Sequence, residues 1–387
     1  MNTGSPVKEI NNIDNNNVSN GSKINVEPIK ALPFSVKLTD LSFYKSEIQF
    51  QVVGDKIYYL WAEKDTNTWN DPDSIVISSS NLDGSGYKEI IKTDKNSVKV
   101  NPQFQVVGSK IYAIWVNYDT SSLTMTALNT DGMGYEGEHN ITTAIERPQF
   151  QVVGNKIFYA LEDVLIGNSN LDGSDFRVLY DRNTDNWTGF IQFKVAYPNI
   201  YAIWLEKDED HINQFVVSSM NIDGSDITLF KTNSLSDLDS PQFQIVGDKI
   251  YYAFLNHSVP DNDKDQVAVA KSNLDFSDFK QIFQTNTNRE KCYEQLQVVG
   301  SKIYLTWQEE GIKIVMATLN TDGSNFNDDY EQVNVPYIPQ LQITGSNAYY
   351  VWERLGEKTD VWLGVVYLGT STSLTPTNED EKKISIR

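Results

Sequence analysis

Apolar and polar positions along this chain alternate over short runs, with a period near two and no stretch at helical spacing. In the segment QFQVVGDKIYYLW at 49–61, Phe50, Val52 and Val53 precede Gly54-Asp55, and an apolar run closing on Trp61 follows. Such a pattern reads as two strands around a tight turn, with glycine supplying the positive φ that a two-residue hairpin needs. The unit then recurs: QFQVVGSKIYAIW at 103–115, QFQVVGNKIFYAL at 149–161, QFKVAYPNIYAIW at 192–204, QFQIVGDKIYYAF at 242–254, QLQVVGSKIYLTW at 295–307 and QLQITGSNAYYVW at 340–352. All seven copies have one length, while their starts are separated by 54, 46, 43, 50, 53 and 45 residues. Insertions therefore fall between the cores, as expected of a repeated supersecondary unit joined by surface loops.

A second hairpin follows in six copies, on the turns NLDGS at 81–85, NTDGM at 129–133, NLDGS at 170–174, NIDGS at 221–225, NLDFS at 273–277 and NTDGS at 320–324. Asp-Gly between apolar runs is a strong hairpin signal. Each repeat is thus four antiparallel strands, A to D. Copy seven lacks the second turn, and PFSVKLTD at 33–40 resembles the strand-D segment YKEIIKTD at 87–94. Nine residues separate Asp40 from Gln49, and nine separate Asp94 from Gln103. The N-terminal segment is therefore expected to supply strand D of the last blade, which closes the sheet ring and removes its open edge. The fold class is all-β: a seven-bladed β-propeller of four antiparallel strands per blade. It occupies 31–370, after a disordered Asn-rich leader at 1–30 and before a polar tail at 371–387.

Composition sharpens this in three ways. The 20 Tyr and 17 Phe suit half-buried pleated surfaces. The net charge of −20 repels a polyphosphate backbone, so no nucleic-acid partner is expected. A lone cysteine, Cys292, excludes an intrachain disulfide and any cysteine cluster for a metal. No window is apolar for the ~20 residues of a membrane-spanning helix, so membrane insertion is not expected, and a monomer is.

The pairing of VGDKIYY with NLDGS resembles bacterial propeller repeats of the low-density-lipoprotein-receptor-like type found in Gram-positive surface proteins, and more loosely the TolB-like repeats. It covers residues from about 33 to 368. The TolB-like pattern has Pro-Asp-Gly where this chain has Gly-Asp, Gly-Ser or Gly-Asn. The resemblance implies a binding or scaffolding role and a secreted or cell-surface place, and it carries over no catalytic residue.

Candidate chemistry is sparse. The residues closing strand B (Trp61, Trp115, Leu161, Trp204, Phe254, Trp307, Trp352) interchange among apolar types and read as packing between blades. The glutamine opening strand A never changes: Gln49, Gln103, Gln149, Gln192, Gln242, Gln295 and Gln340. On the innermost strand these amides form a ring near one channel mouth, either tying blades through backbone groups or making a polar collar for a ligand. The D–A and B–C loops share one face, the irregular one, where Trp69 and Trp187 are candidate anchors for a glycan or partner protein. Asp261, Asp263 and Asp265 mimic the start of a calcium loop, but Gln266 and Ser272 stand where it needs Gly and Glu, so no cofactor is expected beyond loosely held calcium. Asp208, Glu209 and Asp210 are a second acidic cluster of that kind. The three histidines, His139, His211 and His257, fall in different connectors, and no Walker loop, dinucleotide fingerprint or GxSxG elbow occurs. The leading expectation is a non-enzymatic propeller that binds a protein or glycan on the long-loop face. The alternative is a carbohydrate-active hydrolase or lyase with carboxylates at the channel mouth, for which Glu162 and Glu206 are the first pair to test.

Overall fold

The structure, a computed structural model, describes residues 7–10, 34–40, 42–66, 68, 71, 73–144, 147–182, 188–207, 213–232, 237–257, 265–286, 289–310, 313–333, 340–355 and 359–368. It forms seven four-stranded antiparallel sheets in sequence order. Blade 1 is typical: strand A Tyr44–Val53, B Lys56–Lys64, C Ser74–Asn81 and D Lys88–Lys92. Successive A strands touch one another all the way round, including that of blade 7 (Gln340–Thr344) against that of blade 1, so A is the inner strand and the ring is closed. Closure is by the N-terminal strand, as expected: Phe34–Lys37 pairs antiparallel with Thr359–Tyr367 as strand D of blade 7. Within the leader expected to lack structure, Val7–Ile10 instead adds a fifth strand, parallel to strand D of blade 4, Thr228–Thr232. That outer strand offers unpaired backbone groups, which an extended VKEI segment can satisfy.

The two turn types have separate physical causes. In six blades the A–B turn opens on glycine at φ near +60°, as at Gly54, Gly108 and Gly247; blade 4 has a cis Tyr197–Pro198 peptide there. In the second turn, Asp83 Oδ1 accepts from the Ser85 N–H at 3.0 Å while the Gly84 N–H donates to the Asn81 carbonyl at 2.9 Å, and the arrangement repeats down the chain. Its glycine lies against strand D of the preceding blade: a Cβ on Gly323 would stand 2.2 Å from the Ile282 carbonyl oxygen. Blade 5 carries Phe276 at this position, at φ +67°, and the ring is buried against Tyr201 and Phe230 of blade 4. Apolar packing there holds a conformation that costs most side chains ~1–2 kcal/mol.

The core lies between blades. Trp61, Trp115, Trp204, Trp307 and Trp352 are buried, as are Leu161 and Phe254, which establishes the strand-B aromatic as packing. Three of the indoles also donate two residues along their own strand, Trp61 to Glu63, Trp204 to Glu206 and Trp307 to Glu309. A strand-D lysine completes the relay in two blades, Lys92 to Glu63 and Lys231 to Glu206. The matched nine-residue spacing has a cause as well. Lys45 Nζ donates to the Asp40 carbonyl at 3.1 Å, Lys99 to that of Asp94 at 2.5 Å and Lys291 to that of Asn286 at 3.0 Å, each five residues back. A lysine at this place draws its D–A loop onto the next blade.

Candidate functional site

The inner strands carry a feature that the sequence pattern conceals. Just before the opening glutamine the A strands of blades 1, 2, 4, 5 and 6 bulge; in blade 1 the register with strand B shifts between Ser46 and Gln49. The residue two places before the glutamine takes positive φ: Glu47 (56°), Asn101 (52°), Arg147 (40°), Phe190 (55°), Ser240 (49°) and Tyr293 (56°). Because strand A is innermost and its start faces the D–A loops, these six residues stand around the channel mouth on the long-loop face, Phe190 with its ring also packed against the core of blades 4 and 5. One backbone geometry thus presents six different chemistries. Glycine would adopt it more cheaply, so a left-handed conformation held by larger side chains points to a job for those side chains.

Their contacts follow the ring. Glu47 accepts the Asn101 N–H at 2.6 Å, across the junction of blades 1 and 2. Glu47 is open to solvent at the mouth, yet the protein crowded around it pushes its carboxyl up to about 7, against the pull of that N–H, and Asp73 nearby adds to the rise. Asp73 itself is driven up to about 6 by burial. The Arg147 guanidinium lies 4.9 Å from the centre of the Phe190 ring, a cation–π distance. Tyr293 is 44% exposed, a large ring open to solvent.

Behind Tyr293, at the junction of blades 5 and 6, acidic groups crowd a histidine. His257 Nδ1 is 2.5 Å from Asp265 and its Nε2 is 3.6 Å from Asp239. Asp239, and Asp265 after it, hold the imidazolium up to about 9 against the opposing effect of burial, so it is a cation at neutral pH. Glu294 is buried beside them with no hydrogen-bond partner on either carboxyl oxygen, and burial raises its pKa well above the usual carboxylate range. Among the described residues no three His, Cys, Asp or Glu groups come together with the geometry of a metal site.

The sequence-derived candidates divide. Gln49, Gln103, Gln149, Gln192, Gln242, Gln295 and Gln340 all sit half-buried on the inner strands. The ties between blades, expected of these amides, are made by the glutamine two positions later. Gln51 accepts the Val106 N–H at 2.7 Å and donates to the Val106 carbonyl at 3.4 Å. Gln105, Gln151, Gln244, Gln297 and Gln342 each bond the next inner strand in the same way. Trp69, Trp187, Asp261, Asp263, Asp208, Glu209, Asp210 and His211 lie outside the described residues. Asp265 is engaged by His257, and Cys292 is half-buried with its thiol 3.5 Å from Gln308 Oε1. Glu206 is not available for acid–base work. Its side chain is wholly buried and accepts from Trp204, Arg182 and Lys231; burial alone would raise its pKa, but these donors outweigh it and bring it to about 2. Sequence reasoning missed the bulge ring because its members share no residue type. The signal that marks it is positional, two residues before an invariant glutamine.

Fold and mouth together define the class, a closed seven-bladed propeller with a varied collar on one face. No family model matches the chain, and no curated protein matches it. Solved structures resemble it in fold. The polysaccharide lyase Uly1 superposes with a TM-score of 0.59 at 9% identity, over 87% of this chain and 100% of that one. YCF48 bound to a D1 peptide gives 0.55 at 10% identity, over 90% and 100%. A prolyl endopeptidase gives 0.55 at 11%, over 85% of this chain and 51% of that one, so this chain spans about half its length. At these identities the likeness establishes the architecture alone.

Proposed function

We propose that this propeller is a non-enzymatic binding module whose ligand, a protein or glycan, docks over the channel mouth on the long-loop face. The observation that carries the reading is the ring of six non-glycine residues at positive φ. It offers an exposed phenol, a guanidinium on an aromatic face, a carboxyl and small polar groups within one collar. Aromatic and arginine side chains are the groups that most often anchor interfaces. The resemblance of the repeats to those of Gram-positive surface proteins agrees with such a role and with a secreted or surface place, and YCF48 in its complex with a peptide is a propeller-like relative in architecture that binds. From the sequence, Trp69 and Trp187 are further candidate anchors for the same ligand.

The test is a screen of the purified chain on glycan and peptide arrays, followed by the double variant Arg147→Ala, Tyr293→Ala. Far-ultraviolet circular dichroism checks its fold. Loss of at least about tenfold in affinity is expected, on the order of 1.4 kcal/mol. Affinity unchanged in the double variant sinks the proposal.

A second reading, hydrolase or lyase, has one observation in its favour: Glu47, a mouth carboxyl whose pKa of about 7 suits a general acid. Turnover of a polysaccharide panel that falls by ~100-fold in Glu47→Gln establishes this reading instead. Turnover that is absent removes it.

A further inference from the structure

The amide clamp between inner strands is complete at six junctions and broken at one. Where blades 1, 2, 3, 5, 6 and 7 place Gln51, Gln105, Gln151, Gln244, Gln297 and Gln342, blade 4 places Lys194. At the six clamped junctions the glutamine Oε1 lies 2.6–2.9 Å from a backbone N–H of the next inner strand, the extremes being Ile343 and Val195. The residue that occupies this place at the seventh junction is Ile245, on strand A of blade 5, Asp237–Val246. By register, Ile245 pairs with Ile250 as Val52 pairs with Ile57, so its N–H points off the inner edge as that of Val52 does toward Gln342. Lysine carries three donors and no acceptor, so it cannot supply the missing oxygen. The junction therefore holds two kinds of donor, an ammonium and a backbone N–H, where its six counterparts hold an acceptor.

The charge balance points the same way. In a chain of net charge −20, Lys194 has no carboxylate that raises its pKa; burial is the sole influence on it and lowers it. Yet solvent reaches the side chain. Protein surrounds it while water touches it, as expected of a group lining a central channel.

We propose that the junction of blades 4 and 5 is an anion site inside the channel, which takes a carboxylate group of an incoming ligand. One carboxylate oxygen lies on the Ile245 N–H, in the place that the glutamine oxygen fills elsewhere, and the Lys194 ammonium balances the charge. A carboxylate matches the replaced amide in planarity and size. The site stands independently of the mouth ring, and either an acidic sugar or a peptide C-terminus supplies the group.

The experiment uses the full chain and follows acylation of Lys194 by an N-hydroxysuccinimide ester, read by mass spectrometry of the Lys194 peptide, with exposed lysines such as Lys88 as internal controls. Probes are sodium glucuronate, the free acid of N-acetylglycylglycine and its amide, sodium phosphate, and sodium chloride at matched ionic strength. Saturable, severalfold slower acylation of Lys194 with glucuronate or the peptide acid, and none with the amide or chloride, is the expected result. Preference for glucuronate identifies an acidic sugar as the source, and preference for the peptide acid identifies a chain terminus. A second measurement is the thermal midpoint, which rises saturably with the effective carboxylate in the wild type and not in Lys194→Gln, a variant that installs the seventh clamp and keeps the fold. The proposal is overturned if no carboxylate protects Lys194, if chloride protects equally, if phosphate protects better than either carboxylate, or if the thermal response survives in Lys194→Gln.

Discussion

Two buried glutamates of this chain have opposite consequences for stability, and the difference lies in their donors. Glu206 is fully buried and held by an indole, a guanidinium and an ammonium, so its folded pKa of about 2 lies below the ordinary 4.5. Its contribution is complete above pH ~4.5 and fades as pH falls from there toward ~2. Glu206→Gln leaves Arg182 and Lys231 without their counter-ion, and a loss of about 3–5 kcal/mol is expected in urea melts at pH 7, shrinking as the pH approaches 3. Glu294 has no donor from another residue, and burial raises its pKa against the small pull of its own backbone N–H. Its folded form favours the proton, so its contribution is greatest below pH 4.5 and declines as pH rises toward the folded value. Other blades place Ile48, Pro102, Pro148, Ile191 and Pro241 at this position. Glu294→Ile is therefore expected to stabilise the protein by about 1–3 kcal/mol at pH 8 and by less at pH 4. An equal gain at both pH values contradicts this account.

Between residues and blades stand the turns and clamps, where small sequence differences have large geometric meaning. Gly54 and Gly323 both have positive φ, but only the second is crowded, by the Ile282 carbonyl. Gly54→Ala should cost about 1 kcal/mol, the backbone penalty alone. Gly323→Ala should cost about 2–3 kcal/mol, because the blades must also separate. Comparable losses in thermal melts for the two variants count against the close-approach explanation. The clamp offers the converse test. Lys194→Gln is expected to add roughly 1 kcal/mol by completing the inner ring, and Gln51→Ala to remove about as much by opening it at the first junction. No gain from the glutamine shows that the Ile245 N–H is not placed to donate the bond.

On the scale of the whole molecule, stability rests on closure. The last blade depends on Phe34–Lys37, which covers the edge of Thr359–Tyr367 and brings Lys37 to 3.0 Å from Asp360. Deletion through residue 40 uncovers that edge. The shortened chain is expected to melt at lower temperature and to self-associate on gel filtration, since a bare strand edge is a template for pairing. A truncated chain that stays monomeric with an unchanged midpoint refutes the dependence.

Much of this architecture is legible in the sequence alone. Identical lengths among the seven cores, and the spacing from Asp40 to Gln49 repeated from Asp94 to Gln103, determine blade count, strand order and the closing strand, because hairpin register and turn chemistry are local. The burial of the strand-B aromatics followed from their exchange with Leu161 and Phe254. What the sequence could not settle is which of two alternate glutamines on strand A reaches the neighbouring blade, since both lie on one face and only the distance between inner strands distinguishes Gln49 from Gln51. Nor could it place Glu47, Asn101, Arg147, Phe190, Ser240 and Tyr293 in one collar. These residues lie tens of positions apart and share no chemistry; a left-handed residue before the glutamine of six inner strands and the closure of the ring bring them together. Periodicity therefore determines the scaffold, which depends on what repeats along the chain. The candidate sites depend on what differs between copies, and only the tertiary ring decides which of those differences face one another.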